Sequence, residues 1–212
     1  LGSGYNVSIS VDKIQDIQTI SIPEIERHIE YRKSAKTGEP TKKILLLGTG
    51  GTISSNVDYR TGGVAPALTA AEIKKQVPEL DQIANVDAEV LFSEHSENLQ
   101  PEHWIKIAKK LDSLAGSDYK GILILHGTDT MHYTSSFLSF ALAGFPIPVA
   151  LVGSQRSSDR PSSDAAVNLI AASKFLVESN TKGIFLVMHH NDNDQTVACH
   201  MGTRVRKNHT SK

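Results

Sequence analysis

Cysteine is almost absent from this sequence, and so are long hydrophobic runs and any excess of one charge. The single cysteine, Cys199, excludes a disulfide within the chain and fits a reducing compartment. No apolar run approaches the roughly 20 residues that a membrane-spanning helix needs, and the opening LGSGYNVSIS lacks the parts of a signal peptide. The formal net charge of -1 does not indicate direct binding of nucleic acid, although a partner protein could hold RNA. We therefore expect a cytoplasmic protein without a membrane anchor.

Motifs for nucleotides and metals are also missing. The glycines of GTGG (48–51) could form a phosphate-binding turn, but Gly-x-Gly-x-x-Gly requires glycine where Ile53 stands, and no Walker motif occurs. The nine histidines include no His-Glu-x-x-His pair and no spacing typical of a metal site, so we expect no metal. We interpret the adjacent His189 and His190 as surface or capping residues. His126 is expected to pack at the end of a strand rather than to take part in catalysis.

The first part of the chain differs in pattern from the rest. Residues 7–11 alternate apolar and polar side chains, as a half-buried strand does, and 17–25 could form a second strand. A polar, charged stretch with glycine and proline follows. We interpret residues 1–30 as the end of a small N-terminal β domain and 31–43 as a linker. The chain starts without Met and ends at RVRKNHTSK, so we expect a fragment of a longer protein.

From residue 44 to 212, patterns of strand and helix alternate. Short apolar runs typical of strands covered on both faces occur at 44–47, 122–125, 149–152 and 184–188, with a mixed run at 86–92. Helix signals are a capping box from Thr69 to Glu72 with Pro78 behind it, and apolar stripes at 102–115, 131–143 and 162–178. This alternation predicts an α/β fold with a doubly wound, mostly parallel sheet, preceded by a small β element.

Two similar stretches, LLLGTGGTISS (45–55) and LILHGTDTMHY (123–133), each begin within a predicted buried strand and continue past its end into glycine and threonine residues. Ligands bind at the carboxyl ends of the strands in such a sheet, which is where these threonines lie. Threonine is a poor nucleophile unless a neighbour removes its proton. In HGTDT, Thr128 and Asp129 could simply cap the helix that follows, or could hold a hydroxyl and a carboxylate for catalysis, and the two roles are compatible.

TGGTI (49–53) together with HGTDT (126–130) resembles the two signatures of the bacterial-type L-asparaginase/glutaminase family. The likeness extends over residues 44–212 and corresponds to the family's larger N-terminal domain, so the smaller C-terminal domain would be missing. Within the family, the chain is most similar to the D-subunit branch of archaeal glutamyl-tRNA(Gln) amidotransferases. The stretch GYNVSISVDKIQDIQTI (4–20) and the loop QRSSDRPSSDAAVNL (155–169) carry this closer resemblance.

The resemblance implies a glutaminase that hydrolyses glutamine and supplies ammonia to a partner, the amidotransferase E subunit. That partner would use ATP and Mg²⁺ to convert Glu-tRNA(Gln) to Gln-tRNA(Gln), so no cofactor is expected in this chain. A homodimer at the core of a heterotetramer is also implied. Two alternatives remain: a free-standing L-asparaginase that hydrolyses asparagine, and a non-catalytic scaffold that docks a tRNA-binding partner.

The resemblance also assigns roles to residues. Thr52 matches the nucleophile and Tyr59 the tyrosine that assists it, while the resemblance leaves open which threonine, Thr52 or Thr128, attacks first. Thr128, Asp129 and Lys207 match a second catalytic cluster. Burial would have to lower the pKa of Lys207 for it to act as a base, and Asp129 would oppose this, so the pair is expected to tune Thr128 electrostatically.

Substrate binding falls to a further pair of residues. Ser96 and Glu97 stand where the family binds the α-amino and carboxylate groups of the substrate. Because the family's C-terminal domain completes the site, usually across a dimer, we expect the 212-residue chain alone to be folded but inactive.

Overall fold

A computed structural model of the chain describes residues 42–51, 53, 55–57, 64–66, 72, 77–158, 163–190 and 196–208. All of these residues belong to one compact unit, Glu39–Lys212. The predicted strands at 7–11 and 17–25 and almost all of the predicted linker lie outside the described residues. So does the predicted capping box, apart from Glu72, which is helical.

Strands and helices alternate through the described part of the chain. In order they are β1 (Lys43–Gly50), β2 (Ser55–Val57), β3 (Val64–Pro66), α1 (Leu80–Ile83), β4 (Asn85–Glu94), a short 3-10 helix (Ser96–Asn98), α2 (Pro101–Ser113), β5 (Gly121–Leu125), α3 (Met131–Ala141), β6 (Val149–Val152), α4 (Ala165–Glu178), β7 (Ile184–His189) and β8 (Val197–Met201). The strands β2 and β3 pair antiparallel in a small separate sheet.

The main sheet has six strands in the order β4-β1-β5-β6-β7-β8. The first five run parallel, and β8 pairs antiparallel with β7. This arrangement confirms the predicted doubly wound, mostly parallel sheet. The edge strand β8 was not predicted, because its sequence VACHM holds no continuous apolar run and most of its side chains are exposed. The segment is a strand because its backbone pairs with β7 along the edge of the sheet.

Side chains that alternate along the strands divide the core into two layers. On one face of the sheet, residues such as Ile44, Leu46 and Leu123 pack under α1 and α4. On the other face, residues such as Leu45 and Ile122 pack under α2 and α3. Both layers are almost completely buried, and burying each large aliphatic side chain stabilises the fold by about 1.5–3 kcal/mol. Coverage on both faces explains why these strands have continuous apolar sequences.

The three helices predicted from apolar stripes are all present but shorter than expected. The first ends at Ser113, the second at Ala141, and the third begins only at Ala165, with Asp164 at its N-cap position. Within the part of the chain that the structure describes, none of the helices is both long and apolar enough to cross a bilayer.

The strand order sets the position of a binding site. From β1 the chain moves outward to β4, then crosses back to form β5 on the other side of β1. The carboxyl ends of β1 and β5 therefore flank the point where the winding direction reverses, which is where open α/β sheets bind ligands. The two threonine-bearing stretches begin in β1 and β5, so the strand order brings the carboxyl ends of these two strands to this point.

Candidate active site

The two stretches touch through their glycines. Gly51 has a φ of 85°, in the left-handed region that favours glycine. A Cβ atom at this residue would lie only 2.3 Å from the backbone nitrogen of Gly127. Beside this contact, the buried Thr49 hydroxyl donates a hydrogen bond of 2.6 Å to the carbonyl of Leu125. Gly51, directly after β1, and Gly127, in the loop that leads to Thr128, therefore lie in direct backbone contact.

A lysine from the end of the described chain joins the second loop. The ammonium nitrogen of Lys207 lies 2.8 Å from Oγ1 of Thr128 and 2.7 Å from Oδ1 of Asp129. The Lys207 side chain is 14% exposed and that of Asp129 is 47% exposed, so the pair is partly open to solvent. As a donor, Lys207 engages a lone pair of the Thr128 oxygen and leaves the hydroxyl hydrogen free. The three residues that resemblance grouped together are thus adjacent.

The predicted substrate-binding residues lie on the short helix after β4, next to the same loop. Ser96 is buried, whereas Glu97 is exposed. The Ser96 side chain packs so closely on Gly127 that an added Cβ there would lie 2.6 Å from the Ser96 oxygen. Thr130 Oγ1 donates a 2.8 Å hydrogen bond to the Ser96 carbonyl. The 3-10 helix and the loop after β5 are therefore fixed to each other.

The polar side chains that precede α3 do not act as caps of this helix. Thr130 occupies the N-cap position, but its side chain makes no capping hydrogen bond and turns to Ser96 instead. The side chains of Thr128 and Asp129 contact Lys207. Of the two roles considered for this segment, the geometry favours a site over a helix cap.

His126 is a buried structural residue, as predicted. Its side chain is 1% exposed, and burial lowers its pKa from 6.5 to about 4, although the nearby carbonyl of Gly127 acts in the opposite direction. The ring is therefore neutral near pH 7. Nδ1 lies 2.7 Å from the Gly127 carbonyl, and Nε2 lies 2.9 Å from the Thr134 hydroxyl. With the proton on Nδ1, both nitrogens are satisfied, and the ring links the loop to α3.

Sequence patterns missed a buried carboxylate that organises the neighbouring loops. Asp164 is 3% exposed and accepts hydrogen bonds from the backbone of Gln155 and Arg156, from the Asn168 amide and from Nδ1 of His189 at 2.9 Å. Burial alone would raise its pKa, but the His189 hydrogen bond and the two backbone donors outweigh burial, so the pKa lies below its usual 3.8. The interpretation of His189 as a surface or capping residue is wrong, because its side chain is only 12% exposed and contacts this carboxylate.

A cleft of about 220 Å³ opens beside Thr128 and Lys207. Its wall includes Gln155, His132 and His189. Burial, followed by the nearby charges of Lys207 and Arg206, lowers the pKa of His132. These side chains make part of the cleft wall polar. The wall extends from Thr128 and Lys207 at one side to His189, the partner of Asp164, at the other.

Two predicted site residues, Thr52 and Tyr59, lie outside the described residues. Among those that are described, no three His, Cys, Asp or Glu side chains come together as a metal ion would require.

The strand order, the glycine contact at the switch point and the Thr–Asp–Lys cluster define an asparaginase-type α/β domain. Residues 43–212 match the family model described as Asparaginase, N-terminal, and the chain belongs to this family. Two solved L-asparaginase structures are similar. The thermostable L-asparaginase from Thermococcus kodakarensis has a TM-score of 0.68 and 36% identity, over 80% of this chain and 49% of that one. A probable cytoplasmic L-asparaginase from Campylobacter jejuni has a TM-score of 0.62 and 30% identity, over 74% and 52%.

Among curated proteins, the similar relatives are glutamyl-tRNA(Gln) amidotransferase D subunits. The protein from Pyrococcus furiosus is 46% identical over 212 residues, which is 100% of this chain and 48% of the relative. The protein from Saccharolobus islandicus strain L.S.2.15 is 45% identical over the same length. The chain thus spans about half the length of the curated relatives it matches.

Proposed function

We propose that this chain is part of the glutaminase subunit of a tRNA-dependent amidotransferase, which hydrolyses glutamine to supply ammonia for the conversion of Glu-tRNA(Gln) to Gln-tRNA(Gln). One observation carries the proposal. The family model begins at residue 43, whereas the match to amidotransferase D subunits covers 100% of the chain and so includes the residues before it. The L-asparaginase structure from T. kodakarensis matches only 80% of the chain, which supports a free-standing asparaginase less well.

The chemistry begins with attack of a threonine hydroxyl on the side-chain amide of glutamine, which forms an ester and breaks the carbon–nitrogen bond. The amide nitrogen takes up the hydroxyl proton and leaves as ammonia, and water then hydrolyses the ester to glutamate and the free threonine. A carboxamide is a weak electrophile, so the reaction needs an activated hydroxyl and donors for the developing oxyanion. We assign the nucleophile to Thr52 and its assistance to Tyr59, on the basis of the family resemblance alone. The contact between Gly51 and Gly127 supports a second threonine, Thr128, acting on the same substrate from the opposite loop.

Lys207 and Asp129 then act on Thr128 through charge. An ammonium 2.8 Å from the Thr128 oxygen stabilises the negative charge that forms when the hydroxyl loses its proton, and such charge-assisted hydrogen bonds are strong. Asp129, whose Oδ1 accepts a 2.7 Å hydrogen bond from the same ammonium, fixes its direction. Ser96 and Glu97, next to the loop, would bind the α-amino and carboxylate groups of glutamine.

The proposed partner is the amidotransferase E subunit, which would use ATP and Mg²⁺ to activate glutamate on the tRNA. This chain would then need no cofactor of its own. We place the protein in the cytoplasm, within a complex whose core is a homodimer of the glutaminase subunit.

The assignment of Thr128 can be tested in the full-length protein purified together with its partner. Thr128→Ala should reduce ammonia release from glutamine by about a thousandfold or more, because it removes a group that acts at the reacting centre. Added ammonium chloride should restore the formation of Gln-tRNA(Gln), since free ammonia bypasses the glutaminase site. Thr181→Ala, an exposed threonine in the loop before β7, serves as the control and should behave like the unchanged protein.

Two results would argue against the proposal. If ammonium chloride fails to rescue the Thr128→Ala complex, the division of labour between the subunits is wrong. If the full-length protein prefers asparagine to glutamine, and deletion of residues 1–42 changes neither activity nor association with a partner, a free-standing asparaginase is the better description.

A further inference from the structure

The backbone around Lys207 has no support from regular secondary structure. Residues 205–208 form neither helix nor strand. The ammonium nevertheless meets Thr128 and Asp129 at hydrogen-bond distance, although the threonine is 79 residues away in sequence. A long lysine side chain loses rotamer freedom in such a contact, so the backbone that carries it must be held from elsewhere.

Before Lys207, Val205 packs against one core layer, and the nearest buried residue is Gly202, in the turn that follows β8. The N–H of Gly202 donates a 2.9 Å hydrogen bond to the Ile184 carbonyl. Its carbonyl accepts hydrogen bonds from the hydroxyls of Ser135 at 3.0 Å and Ser136 at 3.4 Å, both on α3. An added Cβ would lie 2.6 Å from the Ser139 hydroxyl oxygen. The turn therefore sits directly on α3, with no space for a side chain.

The same helix also holds the loop that carries Thr128. The helix α3 begins at Met131, directly after the loop. One turn along, the Thr134 hydroxyl contacts the ring of His126 at 2.9 Å, at the start of the loop. An α-helix is a rigid rod because its backbone hydrogen bonds are satisfied internally. Thr128 and Lys207 are thus both positioned relative to α3, one at its N-terminus and the other through Gly202.

Ser135 is the central contact of this arrangement. Its side chain is completely buried, and its hydroxyl oxygen lies 3.0 Å from both the Gly202 and the His132 carbonyls. A hydroxyl has one hydrogen to donate, so the two carbonyls share it. Without this hydroxyl, the Gly202 carbonyl would keep the longer bond from Ser136 as its one hydrogen bond among the residues that the structure describes.

We propose that Ser135 and Gly202 are positioning residues that anchor the segment 203–208 to α3 and thereby place the Lys207 ammonium against Thr128. Neither residue touches the reacting groups. The effect on turnover rests on the proposed function, in which Lys207 tunes Thr128, but the geometric effect on Lys207 does not.

The geometric effect can be measured without any activity. We would treat the full chain with formaldehyde and a mild hydride donor and follow the dimethylation of each lysine by peptide mass spectrometry. In Ser135→Ala, Lys207 should react about five to ten times faster, because loss of the hydrogen bond releases its segment, while Lys43 and Lys110 keep their rates. Ser113→Ala on α2 is the control, since that exposed hydroxyl bonds only to the Lys110 carbonyl of its own helix and should leave Lys207 unchanged.

A second variant keeps the test valid if Ser135→Ala does not fold. Ser136→Ala removes the weaker, 3.4 Å contact and should accelerate Lys207 by a smaller factor that still exceeds the Ser113→Ala value. Equal Lys207 rates in Ser135→Ala, Ser136→Ala and the Ser113→Ala control, even with lowered melting temperatures, would overturn the inference, because the two serines would then only stabilise the fold.

Activity adds a separate readout in the full-length complex. Ser135→Ala should lower kcat for glutamine about tenfold and leave KM nearly unchanged, since Ser96 and Glu97 are not displaced. A wild-type complex without glutaminase activity would refute the proposed function. The lysine dimethylation rates would still test whether Ser135 and Gly202 position Lys207. A rise in KM with constant kcat would contradict a role through Lys207.

Discussion

Replacing Asp164 with asparagine should destabilise the protein strongly, although the two side chains have nearly the same size. The carboxylate is 3% exposed and accepts hydrogen bonds from the backbone of Gln155 and Arg156, from Asn168 and from His189. Asparagine can accept at one oxygen only, and its NH₂ group would face donors rather than acceptors. Several buried donors would therefore lose their partner.

The size of the effect follows from the kind of bond that is lost. A hydrogen bond to a charged group contributes about 1.5–3 kcal/mol, but such contributions within one cluster are not additive. Removing the carboxylate also removes the cost of its burial, which offsets part of the loss. We expect a net decrease of about 3–5 kcal/mol in the free energy of unfolding. For a domain of this size, the melting temperature would fall by roughly 6–20 °C.

Urea unfolding followed by circular dichroism measures this change directly. Asp164→Asn should shift the midpoint to lower urea with little change in slope. The control is Glu89→Gln, which breaks a surface ion pair with Lys110 in which the glutamate side chain is 44% exposed, and should cost at most about 1 kcal/mol. If the two variants lose the same stability, the buried carboxylate does not organise these loops.

The pH dependence provides a second check on Asp164. Its folded-state pKa lies below the ordinary value of 3.8, so the charged form contributes stability that is fully present above pH 3.8 and disappears as the pH falls through the folded-state pKa. Wild type should therefore lose more stability than Asp164→Asn on acidification below that value.

Two further predictions concern the loops at the switch point. Gly51→Ala should cost about 2–5 kcal/mol of unfolding free energy, because its Cβ would lie 2.3 Å from Gly127 N at a φ of 85°. Urea unfolding should show almost no change for the control Gly116→Ala, whose added Cβ would meet nothing within 4 Å. For His126, the pKa falls from 6.5 to about 4, so the unfolded chain binds more protons and stability should decline by about 3 kcal/mol as the pH falls from 6.5 to 4. His126→Gln should remove this part of the decline, and an unchanged pH profile would show that the ring is not held neutral.

The main features of the fold could be predicted from the sequence alone. The central strands have continuous apolar sequences because helices cover both faces of the sheet, and the helices have apolar stripes because only one side of each is buried. These are local patterns with a direct physical cause. The glycines in GTGG and HGT mark sharp loops at the strand ends, and the rule that ligands bind at the carboxyl edge placed a site there before any contact was known.

Pairs distant in the sequence leave no such local pattern. The contact of Lys207 with Thr128 spans 79 residues and that of His189 with Asp164 spans 25. Family resemblance pointed to the first pair. Nothing in the sequence pointed to the second pair, so the prediction that His189 is a surface or capping residue is wrong. The hydroxyl of Ser135 meets Gly202 across 67 residues, and β8 exists only because β7 offers it an edge. Residue types and their spacing determined the sheet and its loops. Only the tertiary structure decided which distant side chains form hydrogen bonds with each other, because a hydrogen bond depends on distance in space and not along the chain.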